Sequence, residues 1–359
     1  MNTWQRYKTD EQYRRNIQTR GKVMENIRDF FALEGFIEIE TPLMVAAPGM
    51  EPNLSPFKTA LYDEKGKKAD AYLVTSPEYS CKKMLAAGME KIFSLGKVFR
   101  NGEPAGGSHN AEFTMLEWYR SGEDYLKIMD DVERLVKFCA KAVEGDRPLI
   151  DKEKGSVPVW SMVHDPWKRL SVKEAFAQIG LNLDQILTRD TMAKAALERG
   201  HAVSSNDSFD DCFFKIFLTE IEPKLGFREV RKDGVSSEVE GTILYDYPIQ
   251  MAALSRAKQS DPRYAERFEV YAGGLELANA FSELTDPIEQ RRRLEEEREL
   301  RGRQGKDQPP VDEDFIKAVG ALRPSAGIAL GVDRLAMLMA GAGSIDDVIL
   351  FPASEIFNN

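Results

Sequence analysis

Arg100, His109, Phe113 and Glu117 fall within one stretch, FRNGEPAGGSHNAEFTMLE, running from Phe99 to Glu117. An arginine fork clamps a phosphate or carboxylate oxygen through paired hydrogen bonds, an aromatic face accepts a purine, and a carboxylate holds an ammonium group. The four types together describe a site for a nucleoside triphosphate and a cationic partner. The stretch contains no Gly-x4-Gly-Lys phosphate loop. The same residues also describe a charged hairpin closed by an ordinary loop, and locally both descriptions stay open.

Two further stretches carry candidate chemistry. In RFEVYAGGLELANAFSEL, a two-residue turn at Ala272-Gly273 pairs Tyr271 with Gly274 and sets Glu269 directly opposite Glu276. Like charges facing each other across a ladder destabilise a sheet unless something positive lies between them, and Mg²⁺ brought in with a nucleotide is the natural candidate. Beyond it, Asn279, Phe281 and Glu283 alternate as on a strand, while Glu276, Asn279 and Glu283 equally fit a helical stripe. In SAGIALGVDRLAMLMAGAG, a short buried strand turns through Gly331 into an apolar helix near Asp333. Arg334 in its first turn is out of place for core packing and suits a second phosphate clamp.

Period-two segments on either side of the loop in the first stretch predict a hairpin, with Phe113, Met115, Glu117 and Tyr119 on one face of the returning strand. Residues 11–34 repeat apolar side chains at helical spacing up to Gly35, and GFIEIETPLM then reads as a strand ended by Pro42. Ser76-Pro77-Glu78 reads as a helix start, with Ser76 as cap and Gly88 as stop. From 143 to 240 the chain reads as an insertion, broken by Gly155, Pro158 and Pro166, with a capping box at Ser171 to Glu174 and an apolar helix from Phe213 to Ile221. Residues 289–303 predict a solvated helix laced by charge pairs. With no repeat or linker in view, the expectation is one elaborated domain over 1–359.

Composition narrows the function classes. At 359 residues with 42% hydrophobic and 30% charged content, the chain can bury a large core. A net charge of -10 argues against broad nucleic-acid affinity. Three cysteines without a CxxC pair and three dispersed histidines (His109, His164, His201) argue against zinc. No signal peptide or membrane span is visible, so a cytoplasmic protein is expected.

GFIEIETP, then FRN with HNAEF, then GIALGVDR resemble the three ordered motifs of class II aminoacyl-tRNA synthetases; TSPEY, HNAEFTMLEWY, ELANAFSEL and GVDRLAML are similar to the lysyl branch. Only a short polar segment precedes the first motif, where lysyl-tRNA synthetases carry an anticodon-binding domain. That resembles the truncated branch that attaches β-lysine to a lysine of elongation factor P.

The resemblance implies an α+β fold with a six-stranded antiparallel sheet flanked by helices, and a homodimer. It implies ATP, Mg²⁺ and lysine or β-lysine as ligands, elongation factor P as acceptor, and no tRNA or membrane partner. Arg100 and Arg334 would be the catalytic clamps, with Glu103, His109, Asn110, Phe113 and Glu276 also at ATP. Glu269 and Glu276 would hold Mg²⁺. Ser76 would lie at the substrate; Glu78 would meet its backbone-side amine, Asn279 the carboxylate, and Glu117, Tyr119 and Glu283 the terminal ammonium. Ala329 stands where full synthetases carry glycine and would narrow the pocket toward a β-amino acid; Ser282 looks synthetase-like, which keeps a truncated lysyl-tRNA synthetase or free amino acid ligase as the alternative. Gly102 stands where an acid is usual, one residue before Glu103, which alters the adenine contact. Ala111 replaces a usual proline and Ala280 a usual glycine.

Overall fold

The computed structural model describes residues 2–144, 163, 166–229, 237–252 and 254–357. In chain order, the elements that bear on the site are helix α1 (Glu11–Leu33), strand β1 (Ile37–Glu38), helix α2 (Glu78–Ala86), strands β2 (Lys91–Phe99) and β3 (Glu112–Ser121), and strands β4 (Lys168–Ser171), β5 (Thr242–Pro248), β6 (Tyr264–Ala272) and β7 (Leu275–Ser282). Helix α3 (Pro287–Arg303), strand β8 (Ser325–Gly331) and helix α4 (Val332–Ala340) follow. They divide between two compact units, Met1–Pro148 with Glu283–Asn359, and Leu149–Ser282.

In the first unit β1 runs parallel to β2, and β2, β3 and β8 pair antiparallel in that order. Helix α1 starts where the Asp10 side chain accepts the Tyr13 amide at 3.0 Å and stops at Gly35, whose φ of 73° places it in the left-handed region. Its apolar stripe packs on the strands through Phe31, which stacks on Phe93 at 4.6 Å and meets Phe36 edge-on at 4.9 Å. Burying each such ring contributes about 1.5–3 kcal/mol. The strand expected over GFIEIETP shrinks to Ile37–Glu38, with one further bond from the Ile39 amide to the Phe93 carbonyl.

Helix α3 is capped by Asp286 and laced by Arg292 and Arg293 to Glu289, as its composition predicts. It is not wholly solvated: Gln290, Leu294 and Arg301 are buried along one side. Arg301 donates to the carbonyls of Glu51 at 2.9 Å and Leu54 at 2.6 Å, so this helix fixes an otherwise irregular segment of backbone.

In the second unit β4 runs parallel to β5, and β5, β6 and β7 are antiparallel neighbours. The fold is α+β, but among the described residues the large sheet has eight strands, four from each unit, where six were expected, and one pair in each four is parallel. The extra pairs join β1 and β4, short strands whose partners are remote in sequence and leave no local pattern. The Ser171–Glu174 capping box forms in both directions. The apolar run from Phe213 continues the helix Phe209–Ile216 into a π-helical turn at Phe217–Ile221, packing Phe213 and Phe217 in a core with Phe176. Gly155 and Pro158 lie outside the described residues. Among the described residues, no helix is long and apolar enough to cross a membrane.

Candidate active site

Helix α2 begins one residue later than the sequence suggests, with Pro77 as its cap residue. Ser76 still serves this terminus, because its Oγ accepts the Glu78 amide at 3.1 Å while donating to Glu117 Oε1 at 2.5 Å. Glu117 Oε2 accepts from the Tyr119 hydroxyl at 2.7 Å, a bond that alternation along β3 allows by placing both side chains on one face. Glu78, one turn before Lys82, accepts its Nζ at 2.5 Å, and the same ammonium lies 2.5 Å from Glu283 Oε2. Lys82 and Glu283 are completely enclosed, at 1% and 0% exposure. Glu283 Oε1 has no hydrogen-bond partner.

Two carboxylates therefore pair with one buried lysine, and Glu117, held by Ser76 and Tyr119, is the third acid of the cluster. Burial, reinforced by Glu78, pushes the Glu117 carboxyl up to about 8, and burial does the same to Glu283 against the pull of Lys82. Gly327 on β8 pairs with Tyr119, and a Cβ there would stand 2.2 Å from the Tyr119 ring and 2.8 Å from Glu283 Oε1. Only glycine leaves room for these two groups. Ala329 pairs with Glu117 and packs on the small apolar cluster of Val74, Val98 and Met115, with Phe113 beside it.

In the same unit, the Arg100 guanidinium lies 5.1 Å over the Phe113 ring. Arg334 projects from the first turn of α4 and meets the loop between β2 and β3, at 3.0 Å from His109 Nε2 and 3.3 Å from the Ser108 carbonyl. His109 Nε2 also lies 3.8 Å from Glu103. Desolvation and the neighbouring Arg334 lower the His109 pKa, so its ring is neutral at neutral pH. Glu103, His109 and Arg334 thus come together, and Arg100 with Phe113 forms a second pair. Asn110 binds its own chain, donating to the Glu112 carbonyl at 2.7 Å and accepting the Ala353 amide at 2.8 Å. Its hydrogen bonds shape the loop.

Sequence reasoning missed the group that aims Arg334. The neighbouring Asp333 is buried, accepts the Thr114 amide at 2.7 Å and pairs with Arg20 at 2.8 Å, tying α4 to β3 and α1. It also missed Lys82: Glu followed four residues later by Lys is an ordinary helix-surface pair, so its spacing gives no sign of burial.

In the second unit the expected facing of Glu269 and Glu276 does not occur. The turn falls at Gly273-Gly274, both in the left-handed region with φ of 58° and 74°, as a two-residue hairpin turn requires. Ala272 then pairs with Leu275 and Tyr271 with Glu276, and a bulge between Val270 and Tyr271 brings Glu269 opposite Asn279. Glu269 Oε2 accepts from Tyr247 at 2.5 Å and Tyr271 at 2.6 Å, while Oε1 pairs with Arg267 at 2.8 Å. Like-charge repulsion therefore gives no argument for a cation. The donors nonetheless suit one: they are hard oxygens, and Asn279 Oδ1 is buried without a partner. Among the described residues no three His, Cys, Asp or Glu side chains form a metal cage. Mg²⁺ binds commonly through one or two carboxylates with waters and substrate phosphates, so the set fits it.

The model of the class II tRNA synthetases (D, K and N) matches residues 2–355. The elongation factor P--(R)-beta-lysine ligase of Proteus mirabilis (strain HI4320) is 36% identical over 343 residues, covering 94% of each chain. The protein of that name from Salmonella paratyphi B (strain ATCC BAA-1250 / SPB7) is 36% identical over 341 residues, again covering 94% of each.

Proposed function

The chain belongs to the class II tRNA synthetases of the D, K and N group, and from that membership we propose that it is an ATP-dependent lysine ligase. It activates (R)-β-lysine, or lysine, as an adenylate and transfers the acyl group to a lysine side chain of elongation factor P. The observation that carries this reading is the enclosed cluster of Glu78, Glu117 and Glu283 around Lys82. Glu78 and Glu283 already share one primary ammonium at 2.5 Å from each, so the cluster has the chemistry of an amine receptor.

The reaction needs no protein nucleophile. The substrate carboxylate attacks the α-phosphorus of ATP, the bond to the bridging oxygen breaks, and pyrophosphate leaves. The acceptor lysine amine then attacks the carbonyl carbon of the adenylate, AMP departs with the C–O electron pair, and the amine loses a proton. Arg100 and Arg334 act by fixed positive charge on the phosphates, and Phe113 offers a face to the adenine, with Glu103 and His109 beside it. Glu78, supported by Ser76, takes the backbone-side amine and Asn279 the carboxylate; Glu117, Tyr119 and Glu283 take the terminal ammonium, with Ala329 narrowing the space. Glu269 and Glu276 would hold Mg²⁺, which when bound neutralises phosphate charge. The acceptor is a protein rather than tRNA, and the enzyme works in the cytoplasm as a homodimer.

Pyrophosphate exchange into ATP tests the activation step. Exchange that requires a diamino acid, β-lysine or lysine, over norleucine supports the reading. Equal exchange with norleucine, or none with any amino acid, would overturn it.

A further inference from the structure

Between the segment 45–51 and the start of α2 lies a pocket of about 320 Å³, counting its open mouth, lined by Gly49, Glu51, Val74, Ser76, Glu78 and Tyr79 among others. It contains an acid that no part of the reading above uses. Glu51 Oε2 is buried and has no hydrogen-bond partner. A buried carboxyl oxygen left unpaired costs free energy of desolvation, and a ligand that donates to it recovers that cost. Burial, and next the neighbouring Glu78, raise the Glu51 pKa, while Arg100 and Lys82 act against that rise.

The backbone is built to hold Glu51 there. Arg301, itself buried, clamps the Glu51 and Leu54 carbonyls, Lys306 Nζ donates to the Pro52 carbonyl at 2.5 Å, and the Asn101 amide donates to the Ser55 carbonyl at 2.7 Å. Gly49 permits the carboxylate to fold back, since a Cβ at that position would stand 2.4 Å from Glu51 Oε2.

We infer that Glu51 joins Glu78 to form the receptor for the substrate's backbone-side ammonium, making it a specificity-determining residue. This rests on the activation reading above. Glu51 and Glu78 line the same pocket, and the Phe99 and Asn101 amides, bonded to the Val74 and Ser55 carbonyls, hold Arg100, a clamp for carboxylate or phosphate oxygens, on the backbone beside it, so an ammonium between Glu51 and Glu78 belongs to a carbon close to the reacting carboxylate. The terminal ammonium goes instead to the end formed by Glu117, Tyr119 and Glu283.

The test is pyrophosphate exchange by Glu51→Gln and Gly49→Ala, with β-lysine, with β-aminohexanoate, which keeps the near amine, and with 6-aminohexanoate, which lacks it. Wild-type exchange with β-lysine reads the activation chemistry itself; its absence overturns that reading and this inference together. With the wild type active, kcat/KM is expected to fall at least tenfold in both variants for the two substrates bearing the near amine, while values for 6-aminohexanoate and KM for ATP hold within twofold. An unchanged kcat/KM for β-lysine in Glu51→Gln, or an equal loss with 6-aminohexanoate, overturns the role of Glu51 and leaves the activation reading standing.

Discussion

Glu283 and Glu269 are both buried glutamates on or beside a strand, yet their surroundings differ in kind. Glu283 shares Lys82 with Glu78, keeps one oxygen without a hydrogen bond, and sits near a further acid, Glu117, whose proton is held by burial. Glu269 has both oxygens satisfied from its own unit, by two phenols and a guanidinium. Once Glu117 and Glu283 give up their protons, the first cluster has more negative charge than its own cation balances, which suits a ligand that brings ammonium groups. The second is satisfied without one and is held in place by its own unit.

The contrast breaks most sharply at Lys82. Replacing it with methionine leaves Glu78 and Glu283 buried without their cation, a change that costs about 3–5 kcal/mol when one partner of a buried pair is removed. A large fall in Tm, partly restored by millimolar lysine, is expected; a Tm within 2 °C of wild type would show, at about 1 kcal/mol or less, that the cluster does not depend on this ion pair.

Gly327→Ala follows in size. Forcing a methyl between Tyr119 and Glu283 should cost about 1–3 kcal/mol of substrate binding, read as a KM for lysine raised from several-fold to about a hundredfold with the KM for ATP unchanged. An unaltered lysine KM would place the ligand elsewhere.

The pH dependence sharpens the difference further. Glu117 and Glu283 titrate far above their ordinary 4.5, so between that value and about 8 the folded state holds more protons than the unfolded chain. Their contribution to stability is therefore present at low pH and fades as pH rises toward 8. Ammonium binding needs the ionised acids, so lysine affinity should rise across the same window, by up to about tenfold per pH unit for each proton released. Calorimetry in buffers of differing ionisation enthalpy reads those protons directly, and proton uptake would contradict the assignment. Tyr271→Phe in the other unit removes one bond to a satisfied carboxylate, about 0.5–1.5 kcal/mol of stability, with little change in lysine KM.

Patterns that repeat within a few residues were legible in the sequence. The β2–β3 hairpin, helix α1 and its glycine stop, the Ser171 capping box and Arg334 in the first turn of α4 all stand where periodicity and capping chemistry put them. What failed was register. A turn at Ala272-Gly273 and one at Gly273-Gly274 differ by a single residue, and a bulge adds another step, so the facing of Glu269 and Glu276 was beyond local pattern. Burial that depends on remote contacts is equally hidden: nothing local marks Lys82 or the Glu51 Oε2 atom as buried, and Arg301 falls in a charge run that predicts a solvated helix.

Transfer of a lysyl group to a protein lysine is read from the intact mass of elongation factor P after incubation with the enzyme, ATP, Mg²⁺ and β-lysine. A single lysyl-sized increment is expected, larger in yield with β-lysine than with lysine, and no charged tRNA in a parallel assay. Unmodified elongation factor P beside charged tRNA would contradict it and make the chain a small lysyl-tRNA synthetase.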